Sequence, residues 1–250
     1  MGFMKVCLLT MLVLALSFSS SLGQFGSKVL TGDADVGRLL EDLPAPLNPK
    51  FGYWDTGINP GIYDDGDTIY LDMWGNNIID ANDIRLTDYG SYRAGTKVTS
   101  ADNDINKPLL NLPGQQAGIY YADHYGSQGY DLADPVYLLV TNSILPGAKT
   151  ATNDVRLVRV GGLAPGTKIL DIHPDNDWPV IPMIVPLSSG GPIATLRFYN
   201  ANGNVDGVGN PIYDYSDDLY IDISLPSIAF AGPGGYPFGF VVPNNVRLTG

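Results

Sequence analysis

Two stretches of the chain alternate apolar and polar side chains with a period of two, and a third is apolar almost throughout. In one, Ile69, Leu71 and Met73 fall on one side and Tyr70, Asp72 and Trp74 on the other; in another, Leu219, Ile221 and Ile223 oppose Tyr220 and Asp222. That spacing predicts strands with one buried face and an aromatic, acidic outer face. The third stretch, Val136 to Val140, is apolar except for Tyr137 and predicts a strand buried on both sides. A second set of short strands follows from Ile84/Leu86, Val155/Leu157 and Val246/Leu248, which point inward and leave Arg85, Arg156 and Arg247 pointing out. Each arginine is expected to meet a carboxylate or tyrosine on a neighbouring strand. No convincing helical period appears, and Val36–Leu43 would make two turns at most.

The strands belong to repeated phrases. Y-D-x-x-D-x-[IVL]-Y-[LI] occurs without gaps at Tyr63–Leu71, Tyr130–Leu138 and Tyr213–Ile221, and N-[DN]-[IV]-R-L follows at Asn82–Leu86, Asn153–Leu157 and Asn244–Leu248. A third phrase, G-[ST]-K-[VI], stands at Gly95–Val98 and Gly166–Ile169, and again at Gly26-Ser27-Lys28-Val29. Asp33/Asp35 and Asp102/Asp104 lie at equal offsets beyond their lysines, and Asp175/Asp177 make a looser third pair. Fixed self-similarity of this kind marks a repeat architecture. The expected fold is all-β, with three tandem repeats of about 70 residues forming a sandwich, a multi-sheet array or a closed repeat array. The expected organisation is a signal peptide at 1–23 and repeats at 24–94, 95–165 and 166–250.

The phase of the repeat is informative. The last copy, Asn245, Val246, Arg247 and Leu248, has no successor after it, and the phrase that would succeed it is found near the other end, at Gly26, Ser27, Lys28 and Val29. These eight residues are the candidate joining edge, either within one molecule or from one copy to the next.

Composition changes the picture in three ways. Lys5 followed by the apolar run Val6–Phe18 and small residues at Ser21 and Gly23 reads as a secretory signal peptide, too short to span a bilayer comfortably, and no second such segment exists. The expected location is extracellular, at the cell surface. The only cysteine, Cys7, lies in that leader, so the rest has no disulfide to lean on. Beyond the leader, 13 basic residues face 26 acidic ones, a net charge of −13, which argues against nucleic acid and anionic membranes as partners. The 30 glycines and 19 prolines punctuate the apolar runs as turns do.

The acidic clusters carry the candidate chemistry. Asn200, Asn202, Asn204 and Asp206 place oxygen ligands at alternate positions beside a glycine, loosely like a calcium loop, and Asp64 and Asp67 form a second cluster. Calcium is thus the one cofactor the pattern admits; the competing reading is Asx-turns at strand ends. Carboxylate pairs recur in every repeat, as structural positions do, whereas glycosidase pairs are unique to one place. His124 and His173 are expected to be ordinary surface residues, Ser188–Pro192 a flexible insert, and no nucleophile, zinc or phosphate motif is present, so no catalytic residue and no enzyme are predicted. Tyr53, Trp54, Tyr70, Trp74 and Trp178 are candidates for stacking on sugars or on other copies.

The phrases YDDGDTIYLD, NDIRLT and AGTKV resemble the repeats of secreted surface and sheath proteins of methanogenic archaea. The resemblance implies β-rich assembly in a cell envelope without catalysis; Leu132-Ala133 and the long insert Ser224–Pro243 depart from it. The resulting expectation is a secreted structural protein that self-associates through strand edges into a layer, sheath or fibre. The alternative is a monomeric extracellular module that binds carbohydrate or another surface protein.

Overall fold

A computed structural model of the chain describes residues 24–113, 118–123, 130–140, 148–183, 193–224, 240–241 and 245–249. The leader, His124, Ser188–Pro192 and most of Ser224–Pro243 lie outside them. Among the described residues there is no helix, and so none long and apolar enough to cross a membrane.

Twelve strands are formed: β1 (Glu41–Asp42), β2 (Lys50–Trp54), β3 (Thr68–Asp72), β4 (Ile84–Arg85), β5 (Leu110–Asn111), β6 (Gly118–Tyr121), β7 (Val136–Leu139), β8 (Val155–Arg156), β9 (Ile181–Pro182), β10 (Ile193–Tyr199), β11 (Asp218–Ser224) and β12 (Val246–Arg247). They make three antiparallel sheets of four strands, ordered β4-β3-β2-β5, β8-β7-β6-β9 and β12-β11-β10-β1, and none closes on itself. The Y-D-x-x-D phrases lead into the second strand of each sheet. The register is the same in all three: Tyr70 pairs with Arg85, Tyr137 with Arg156 and Tyr220 with Arg247.

The sheets do not follow the boundaries at 94/95 and 165/166. In the first two, the fourth strand is supplied by chain that lies beyond the G-T-K phrase: β5 pairs with β2 and β9 with β6. The third sheet takes its fourth strand, β1, from the other end of the chain.

One face of each sheet points into a shared core. Ile69, Leu71, Ile84 and Leu86 of the first sheet meet Val136, Leu138, Val155 and Leu157 of the second and Leu219, Ile221, Val246 and Leu248 of the third. These are the residues the alternation assigns to the inner face. The opposite faces are not solvated, contrary to expectation: Tyr70, Tyr137 and Tyr220 are at most 1% exposed, and Arg85, Arg156 and Arg247 at most 4%. The reason is that a G-[ST]-K phrase and the loop after it lie over each sheet, supplied by the chain beyond the arginine in the first two and by residues near the other end in the third. Val98, Ile169 and Val29, from the three G-[ST]-K phrases, pack on Tyr70, Tyr137 and Tyr220 respectively. Trp74 does remain exposed, but Tyr53 is buried in the shared core. The segment Val36–Leu43 forms turns and the strand β1, not helix.

Three glycines hold the sheets at close quarters. Gly26, Gly95 and Gly166 all have positive φ, between 68° and 82°. A methyl on Gly26 would lie 2.3 Å from Pro165 Cβ, one on Gly95 2.3 Å from Phe25 Cβ, and one on Gly166 2.3 Å from Ala94 Cβ. Each glycine thus abuts the residue preceding another of the three. Only glycine adopts this backbone freely and leaves that space. Replacing Gly95 with alanine should therefore lower stability by more than the ~1 kcal/mol of an ordinary loop substitution, read as a drop in the urea midpoint.

Candidate functional site

The buried charges form two connected systems. In the first, each arginine's fork grips an aspartate side-on, the geometry in which guanidinium and carboxylate match best. Arg85 donates from Nε and Nη2 to Asp104 (2.8 and 2.7 Å), Arg156 to Asp175 (2.8 and 2.6 Å) and Arg247 to Asp35 (2.9 and 2.6 Å). The cross-strand tyrosine donates its hydroxyl to the same carboxylate: Tyr70 to Asp104, Tyr137 to Asp175 and Tyr220 to Asp35. Nη1 bonds a hydroxyl and a carbonyl of the G-[ST]-K phrase, Thr96 and Lys97, Thr167 and Lys168, or Ser27 and Lys28. The arginines do meet a carboxylate as expected, but from inside, and the carboxylate comes from the overlying loop.

Burial works against charge in these groups, yet the Asp104 and Asp102 hydrogen bonds raise Arg85 above its ordinary value, and Asp35 and Asp33 do the same for Arg247. Burial likewise opposes ionisation of Asp35, and the bonds from Arg247 and Tyr220 outweigh it and hold the carboxyl below the usual range.

A second ligand completes each guanidinium. Nη2 reaches Asp102 at 2.7 Å in the first sheet and Asp33 at 2.7 Å in the third, but in the second sheet it meets His173 Nδ1 at 3.0 Å. The backbone N–H of Leu170 also donates to that nitrogen, as Leu30 does to Asp33 and Thr99 to Asp102. His173 is thus the counterpart of Asp33 and Asp102, and Asp175 that of Asp35 and Asp104. Pairing Asp175/Asp177 with the other acidic pairs is off by two positions. The signal was available in the offset from Lys168: His173 stands five residues on, as Asp102 does from Lys97.

The second system joins different sheets. Lys168 Nζ donates to the carbonyls of Asp64, Asp65 and Asp67; Lys97 to those of Asp214, Tyr215 and Asp217; and Lys28 to those of Asp131 and Asp134. The second sheet's lysine therefore caps the first sheet's turn, the first's caps the third's, and the third's caps the second's. Each ammonium also lies over the tyrosine that opens the capped phrase, 4.6 Å from the Tyr63 centroid, 4.4 Å from Tyr213 and 4.2 Å from Tyr130. That ring also meets a second aromatic at a steep angle: Tyr53, Phe198 and Tyr121 respectively. Burial pushes all three lysines down to about 8, against the pull of the aspartates in the turn.

The candidate calcium residues have other occupations. Asn200 Oδ1 and Asn202 Oδ1 both accept from the N–H of Asn204, and Asp206 accepts from Val208 and from Asn210 twice. The amides of Asn202 and Asn204 converge on Asp214, which the sequence reading missed. Asp67 receives the N–H groups of Thr56, Gly57 and Asp64, and Asp64 those of Gly66 and Asn59. Backbone donors aimed at these oxygens are the Asx-turn arrangement. Among the described residues no group of three or more His, Cys, Asp or Glu side chains is placed to hold a metal.

The candidate edge residues come together within one chain. Gly26 N–H donates to Arg247 O (2.8 Å), Arg247 N–H to Ser27 O (3.1 Å) and Val29 N–H to Asn245 O (2.8 Å), with Lys28 opposite Val246. The same ladder joins Gly95–Val98 to the strand of Arg85 and Gly166–Ile169 to that of Arg156. Leu248 donates to Leu219 O.

No family model, curated protein or solved structure is significantly similar to this chain.

Two predictions follow from the charges. His173→Asp supplies the missing carboxylate to Arg156 and should stabilise by about 1 kcal/mol, as charge-assisted bonds do, read by urea denaturation at neutral pH. Burial raises Asp83 to about 8, against the bonds from Asp80 and Met73, and its counterpart in the third sheet is Asn245, which likewise accepts the N–H of Ile223. A carboxyl raised when folded adds stability that is complete below its unfolded value and lost as pH rises through the folded one. Between about pH 4 and 8 Asp83→Asn should therefore lose less stability than the parent, measured as melting temperature against pH.

Proposed function

We propose that the chain is a secreted, non-catalytic structural module of the cell surface, built of three repeats that close into one array within a single molecule. What supports this reading is the pairing of Gly26–Val29 with Asn245–Arg247. Gly26–Val29 serves the last repeat as Gly95–Val98 and Gly166–Ile169 serve the first two, and Arg247 finds Asp33 and Asp35 at the opposite end of the sequence. The titratable side chains that recur do so in matching structural bonds, which suits a scaffold better than a reaction centre.

This arrangement favours joining within the molecule over joining from copy to copy through the same residues. It also bears on assembly by the outer sheet edges. Those edges are β5, β9 and β1, each two residues long. β9 carries Pro182, which has no N–H to offer, and β1 is Glu41–Asp42. Short, charged or proline-bearing edges discourage strand addition. Association into a layer or sheath therefore runs through side-chain faces rather than by strand addition. The archaeal surface-protein resemblance of the Y-D-x-x-D and N-D-I-R-L phrases agrees with such a role.

Removing residues 24–30 from the leaderless chain tests the closure. The expected result is a markedly lower melting temperature with a monomer still seen by light scattering, because Arg247 and the second sheet's turn lose their partners together. An unchanged melting temperature with loss of higher assemblies would instead place the joint between molecules.

A further inference from the structure

We propose that the first sheet carries a carbohydrate-binding platform formed by Trp54, Tyr89 and Tyr92. The inference does not depend on the structural role proposed above. Tyr89 and Tyr92 face each other across a tight turn, exchanging both backbone hydrogen bonds, with Gly90 at φ 56°. Their rings are nearly parallel, 12° apart in orientation with centroids separated by 6.2 Å. Trp54 leans against Tyr89 at 4.9 Å and 55°.

The direction of the surface follows from what lies beneath it. The Arg85 guanidinium sits 4.3 Å from the Tyr92 centroid, and Arg85 is only 1% exposed. Tyr92 therefore covers the buried arginine, and it is itself partly exposed. Tyr89, nearly parallel to it, is partly exposed as well. Neither tyrosine hydroxyl is hydrogen-bonded among the described residues. Around the rings stand groups suited to sugar hydroxyls: Lys107, whose ammonium lies 5.9 Å from Trp54, and the exposed Asp88–Arg93 pair at 2.8 Å.

The platform is not something the fold requires. The same turn in the second sheet pairs Val160 with Leu163 by the same two hydrogen bonds, and Ala122 stands where Trp54 does. Arg156 is as deeply buried in that sheet as Arg85 is in the first. Two tyrosines that the second sheet's turn does without, gathered beside Trp54 and rimmed by hydrogen-bonding groups, point to a ligand with flat C–H faces and hydroxyl edges. A hexopyranose chain has both, stacking on aromatic rings while its hydroxyls meet polar side chains.

The test is isothermal titration of the leaderless protein with cellohexaose, xylohexaose, mannohexaose and chitohexaose at up to about 1 mM. At least one is expected to bind with a Kd below about 1 mM and to lose about tenfold or more in affinity in Tyr89→Val/Tyr92→Leu. That variant copies the second sheet's own turn, and its melting temperature should stay near the parent's. If the pair does not fold, Tyr89→Val alone serves, since it leaves Tyr92 on Arg85. Absence of binding to all four, or undiminished binding in the folded variant, overturns the proposal.

Discussion

A guanidinium taken out of water must be fully bonded, and this requirement organises each sheet. Arg85, Arg156 and Arg247 each end a two-residue strand, and the residues on either side, Ile84 and Leu86 in the first case, are core residues. A slip of one residue would exchange them, driving the charge into the apolar core and an isoleucine into a polar cage. The register is therefore locked by an error that is too costly to make. Fork-on pairing with Asp104, Asp175 and Asp35 then pins the overlying loop, and that loop delivers both the fourth strand and the lysine that reaches the next sheet. Buried ion pairs of this kind add little net stability over apolar packing, but removing one partner costs ~3–5 kcal/mol. Their effect here is to specify one arrangement.

The three sheets differ where the shared framework leaves room. Thr87 and Thr249 accept the N–H of Ile69 and Leu219, while Val158 stands at the third place. His173 replaces an aspartate beside Arg156, and Asn245 replaces Asp83 and Asp154. Each replacement keeps the acceptor atom that its neighbours need, or gives it up at one site only. The charge varies while the hydrogen-bond geometry does not, as expected where a buried group's direction matters more than its ionisation.

The inner faces were legible in the alternation of Ile69/Leu71, Leu219/Ile221 and the flanking Val/Leu pairs, because burial against a common core leaves a period of two. The all-β character was legible for the same reason. The outer faces were not: Tyr70, Asp72 and Arg85 look like solvent-facing residues until a loop lies over them, and periodicity reports polarity, not coverage. The acidic residues at 102/104 and 33/35 stand out as clusters, but the arginines that Asp104 and Asp35 meet, 19 and 212 residues away, are beyond local reading. His173 is hidden from such a reading because a histidine in an aspartate's place breaks the pattern by letter while keeping it by hydrogen-bond acceptor. The platform of Trp54, Tyr89 and Tyr92 was half visible, since Trp54 was singled out and the two tyrosines gained meaning only beside Val160 and Leu163.

The Asp35–Arg247 contact also has a consequence in time. The loop it closes spans 212 residues, against 19 for each of its two counterparts. The first two sheets can gather their own arginines from nearby chain, but the third must wait for the far end to find it. Contacts of such sequence separation slow folding, because chain entropy is lost before the contact is gained. The last seam to form is also the one whose opening frees β1, Val29 and the Lys28 cap together. Folding should thus end, and unfolding begin, at a single place in the molecule.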